Sequence, residues 1–194
     1  MQKLRGIPPI RLDDAKWFLL KLSKSNAPWA FAKGEPFRTI SSLELLDSLL
    51  GIMLLLGGEG GQESPQGGKL SVGGLTDNAG NRFAVARMMT TKWPLVAFLA
   101  ELSTQLEHLN LMFEMSWVPR EQNAEADAIT NGDVGWLCPA NRIATVMEDL
   151  PFLVLKELLE KGAGFYGKLE TVNMTAAADQ VKDVRKLSVR DPWN

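Results

Sequence analysis

Three carboxylates stand at positions where open α/β sheets place their chemistry. Asp77, in Leu75-Thr76-Asp77-Asn78, ends an apolar, glycine-bearing run over residues 69–75, just before a helical pattern begins. A strand that delivers an acid at its carboxyl end is a typical origin of a functional group in such sheets. Glu44 and Asp127 lie in helix-start contexts on either side of it in sequence. Hard oxygen ligands from three separate elements suit a magnesium site. Each acid also has a plain structural explanation. Glu44 completes a capping box with Ser41, Asp77 suits an Asx turn, and Asp127 is a first-turn acid favoured by the helix dipole.

Other chemistries are poorly supplied. The chain has one cysteine, Cys138, and one histidine, His108. That composition excludes an internal disulfide, a cysteine-built zinc site and a histidine-based nucleophile relay, and it points to a reducing, intracellular compartment, cytoplasmic or nuclear. His108 falls near the end of a helical pattern, where an imidazolium is mildly favoured. The 194 residues are 45% hydrophobic, enough to bury a full core, and the net charge of −2 offers no bulk attraction to nucleic acid. Charge is nevertheless uneven. Lys3, Arg5, Arg11, Lys16, Lys21, Lys24, Lys33 and Arg38 make residues 1–40 basic, and acids dominate from Glu44 to Glu63. A phosphate-facing strip beside a cation site is one reading, in which Lys16, Lys21, Lys24 and Arg38 hold a nucleic-acid backbone; an ordinary mixed surface is the other. The apolar stretch 43–56 is interrupted by Glu44, Asp47 and Ser48, so no membrane span is expected. The basic start lacks the apolar core of a signal peptide.

The elements that would position these residues follow from pattern. Residues 1–15 form an irregular lead-in with Pro8-Pro9. Residues 16–22 and 29–31 suggest a hairpin, and residues 37–40 a short extended piece. A helix starts at Ser41 with a stripe of Leu43, Leu46, Leu50 and Leu54. Residues 57–68 form a glycine-rich surface loop. Residues 69–75 read as a buried, central strand in which Gly73-Gly74 marks a bulge or a close approach. Helices follow over about 81–89 and from Trp93-Pro94 to about 109, then a strand over 111–118, and a short helix from about Asn123. Residues 132–167 suggest a helical appendage, with an amphipathic helix over 143–160. Residues 168–194 suggest a polar tail.

The order of parts carries a resemblance. Ile40-Ser41-Ser42-Leu43-Glu44-Leu45-Leu46, then Leu75-Thr76-Asp77-Asn78, then Trp117-Val118-Pro119-Arg120-Glu121-Gln122-Asn123 running into Ala126-Asp127, are similar to segments of the ribonuclease H domains that retroelements carry behind their reverse transcriptase, in the long-terminal-repeat and tyrosine-recombinase types. The match covers roughly residues 16–131. It implies an α/β fold, a ribonuclease H-like mixed sheet flanked by helices. The implied activity is cleavage of the RNA strand of RNA·DNA hybrids with Mg2+ or Mn2+, in the setting of a larger reverse transcriptase polyprotein. Glu44, Asp77 and Asp127 match the second, third and fourth of the family's four metal-holding acids, and Ser41 and Asn78 fall beside them as nucleic-acid contacts. The departure is at the front. The family's first acid sits in an opening hairpin, and only Asp13 and Asp14 are available here. Asp14-Ala15 mimics the dipeptide, but no turn follows, so the first strand and its acid are expected to be missing and hybrid cleavage to be weak or absent. A non-catalytic nucleic-acid-binding or scaffold domain, and an integrase- or resolvase-like DNA nuclease, are the alternatives.

Overall fold

The computed structural model describes residues 14–31, 39–57, 68–162, 164, 165 and 168. Arg38, most of the glycine-rich loop, the Pro8-Pro9 lead-in and most of the tail lie outside the described residues. In chain order the elements are α1 (Ile40–Leu56), β1 (Leu70–Thr76), α2 (Ala79–Arg87), α3 (Leu95–His108), β2 (Leu111–Trp117) and α4 (Ala124–Thr130). A further helical stretch, α5, covers residues 155–162. The protein is thus mixed α/β. No helix among the described residues is long and apolar enough to cross a membrane.

β1 and β2 pair in parallel in full register, from Leu70 opposite Leu111 to Thr76 opposite Trp117. Parallel partners need a crossover, and here α2 and α3 supply it. α2 begins because Asn78 turns the chain out of β1 and caps the helix, its Oδ1 accepting from the Asn81 backbone N–H at 3.2 Å. Met88 ends it in the left-handed region at φ 47°. α3 presents Leu95, Phe98, Leu99, Leu102 and Leu106 to α1, whose Leu45, Leu46, Leu49 and Leu50 face them. Leu111 and Met115 of β2 close this core from the sheet side.

The α/β class holds, but several expected elements differ. The sheet among the described residues is two-stranded and parallel, not mixed, and β1 is an edge rather than a central strand. Its residues are largely exposed, with Leu70 at 58% and Leu75 at 43%. Ser71, Gly73 and Gly74 leave too little apolar side chain to bury β1 on both faces. Residues 16–22 are not a strand. Only Trp17 forms a bridge, to Arg142, and its indole Nε1 donates to the Cys138 carbonyl at 2.9 Å. The aromatic ring found an anchor in a loop instead of a sheet partner. Residues 28–31 form a 3-10 turn rather than a second hairpin strand, with Trp29 packed edge-on against Phe98 at 4.6 Å between centroids. Gly74 does mark a close approach, since a Cβ there would lie 2.6 Å from the Phe113 ring, whereas Gly73 faces open space.

Residues 143–160 are not one helix. Regular helix begins only at residue 155, beyond Pro151. This segment shares the main core through Met147, Leu150 and Leu155. The fully buried Glu101 of α3 accepts the backbone N–H groups of Leu153, Val154 and Leu155 at 2.9, 2.7 and 2.8 Å and so caps α5.

Candidate acidic site at the carboxyl ends of the parallel strands

Both parallel strands end on the same side, and the chain after each one enters a helix. Asp77 follows β1 directly. Asp127 lies in the first turn of α4, reached from β2 through Val118, Pro119 and a 3-10 turn over Arg120–Gln122. The backbone at this end is tied together, since the Val118 N–H donates to the Thr76 carbonyl at 2.9 Å and the Trp117 indole donates to the Asp77 carbonyl at 3.0 Å.

Glu44 reaches the same place from α1. The expected capping box is not formed: Thr39 occupies the cap position, and its Oγ1 donates to the Ala30 carbonyl at 3.1 Å rather than capping the helix. The Glu44 carboxylate points away from its own backbone because better donors lie across the fold. Asn78 Nδ2 donates to Glu44 Oε2 at 2.6 Å and to Ser41 Oγ at 3.1 Å. Asn81 Nδ2 donates to the same Oε2 at 3.2 Å and to the Ser41 carbonyl at 2.8 Å. Asn78 therefore caps α2 with one end of its amide and holds Glu44 with the other.

Electrostatics join the three acids. Burial raises the proton affinity of Glu44 most, the Asn78 amide opposes it, the charges of Asp77 and then Asp127 raise it further, and Arg120 opposes them. Arg120 also pairs with Asp127, Nε to Oδ2 at 3.2 Å.

Of the residues expected at a site, Ser41, Glu44 and Asn78 are joined by hydrogen bonds, and the charges of Asp77 and Asp127 act on Glu44, but the expected close convergence of the three acids is not met among the described residues. Asp14 does not join them: it is exposed on the segment that Trp17 anchors beside Arg142, and its charge is not among those acting on Glu44. Lys16, Lys21 and Lys24 are exposed on that same segment, and the cation that acts on Glu44 is Arg120. Arg120 and Asn81 were not anticipated. Asn81 had a readable signal in its spacing of three from Asn78, whereas nothing local marked Arg120.

The donor chemistry suits a hard cation: carboxylates from three elements, with the buried Asn81 Oδ1 lacking any hydrogen-bond partner beside them. As the side chains stand, no three acids among the described residues are grouped closely enough to hold an ion by themselves.

No protein-family model matches the chain, and neither a characterised protein nor a solved structure matches it.

Proposed function

We propose that the chain is a retroelement-derived, ribonuclease H-like domain that engages RNA·DNA hybrids through Glu44, Asp77 and Asp127 together with Mg2+ or Mn2+. The observation that carries this reading is the placement of Asp77 directly after β1 and of Asp127 just beyond β2, at the carboxyl ends of parallel strands, with Glu44 held there by Asn78. The helix, strand and helix that deliver the acids follow in the order the resemblance implies.

When bound, divalent ions would supply phosphate polarisation and an activated water. The chain's own residues prepare for this. Asn78 and Asn81 fix one oxygen of Glu44 and leave the other for a ligand. Arg120 steadies Asp127 and can yield to a competing cation, because an exposed pair of this kind is weakly held. Trp117, 47% exposed beside Asp77, offers a face on which a base can stack.

Cleavage by this chain as it stands is proposed to be weak, because no three acids among the described residues are grouped closely enough to hold an ion by themselves, and Asp14 does not join them. A binding role without cleavage is the second reading, favoured by the two amides that already hold Glu44. A labelled RNA·DNA hybrid offered with Mg2+ or Mn2+ to the wild-type chain and to Asp77→Asn tests both. Binding that the cation strengthens and Asp77→Asn weakens, with little product, is expected. Strong cleavage abolished by Asp77→Asn would overturn the weak-activity statement. Hybrid binding indifferent to cation and to Asp77→Asn would favour the binding role alone.

A further inference from the structure

The outer edge of β1 is a self-complementary surface. In the parallel ladder, the Leu70 N–H donates to the Asn110 carbonyl at 3.3 Å and the Thr76 carbonyl accepts from Val118 at 2.9 Å. This phase turns the backbone groups of Leu70, Val72, Gly74 and Thr76 toward β2 and those of Ser71, Gly73 and Leu75 toward the opposite edge. Among the described residues, none bonds to that second set. An unpaired strand edge is a template for another strand, and a two-stranded sheet gains stability from any addition.

We infer that the occupant is a second copy of this chain, pairing β1 with β1 in antiparallel fashion about a two-fold axis at Gly73. Charge placement selects this occupant. Lys69 and Asp77 lie four residues before and four after Gly73. A two-fold at Gly73 therefore sets Lys69 of each copy opposite Asp77 of the other, and Ser71 opposite Leu75. Self-matching of this kind is what an isologous interface requires. Gly73 itself has nothing within 4 Å of where a Cβ would stand, so another backbone can approach. Lys69 now pairs with Glu107 at 2.8 Å, and both side chains are solvent-exposed, so the exchange of partners is inexpensive. The result is a four-stranded sheet in which each copy supplies an ammonium group to the acidic site of the other. This inference does not depend on the proposed nuclease ancestry.

Sedimentation velocity of the full chain across concentration and salt reads the association, and a concentration-dependent dimer weakened by salt is expected. Lys69→Glu should weaken it by about tenfold or more through like-charge opposition, and Lys69→Glu combined with Asp77→Lys should restore it. Register is read by cross-linking in a Cys138→Ser background. Gly73→Cys should join two copies through a short bis-maleimide, whereas Ser71→Cys, whose two copies would sit about 14 Å apart along the strands, should not. A monomer at every concentration, or a monomer that takes up an unrelated extended peptide at this edge, overturns the inference. So does a dimer indifferent to Lys69→Glu, or equal cross-linking at both positions.

Discussion

Asn78 and Glu44 are linked by a 2.6 Å hydrogen bond between residues 34 apart in sequence, and the same asparagine caps α2. One side chain therefore couples the start of a helix to the placement of an acid. Asn78→Ala is expected to cost about 1 kcal/mol of stability from the cap alone. Asn78→Asp keeps an acceptor for the cap but sets a negative charge against Glu44. Chemical denaturation should show Asn78→Asp closest to wild type in acid and furthest from it above neutrality, while the Asn78→Ala deficit varies less with pH.

Glu44 also gives a pH dependence of known sign. Its proton affinity is raised in the folded state, chiefly by burial and then by Asp77 and Asp127. The folded protein therefore holds this proton more tightly than the unfolded chain. The resulting stabilisation is present in acid and is lost as pH rises through the raised folded value. Glu44→Gln should remove that component, so its thermal midpoint relative to wild type should improve as pH moves from about 4 toward 8. A constant difference across that range would contradict the raised proton affinity of Glu44.

Glu101 gives a sharper stability test. Its fully buried carboxylate accepts three backbone N–H groups at the start of α5 and the Gln105 amide at 2.7 Å. Glu101→Ala would orphan those donors and is expected to cost on the order of 3 kcal/mol or more in denaturant unfolding. A loss under about 1 kcal/mol would show that water replaces the carboxylate at little cost.

Much of this was legible in the sequence. The strand over 69–75 leading to Asp77, the strand over 111–118, the helix from Trp93-Pro94 to about 109 and the order of the acids are all local signals, and the elements reappear close to their expected bounds. What failed depended on distant partners. Residues 16–22 have strand composition, but Trp17 is claimed by Cys138 and Arg142. Ser41 and Glu44 have capping-box spacing, but the amides of Asn78 and Asn81 attract the carboxylate more strongly than its own helix start. Nothing in its local sequence singles out Glu101, which is buried because its hydrogen-bond donors come from residues 52 to 54 positions later. Glycines 73 and 74 look alike, and only the register with Phe113 separates the crowded one from the open one.

The proposed role of Glu44, Asp77 and Asp127 is to take a divalent cation together with nucleic acid. Electron paramagnetic resonance of Mn2+, titrated into the protein with and without an RNA·DNA hybrid, measures this directly. Mn2+ should bind tightly only when protein and hybrid are both present, and the combined variant Asp77→Asn/Asp127→Asn should lose that binding while keeping its fold by circular dichroism. Mn2+ uptake by the protein and hybrid no greater than the sum of their separate uptakes, or unchanged in the double variant, would contradict the account.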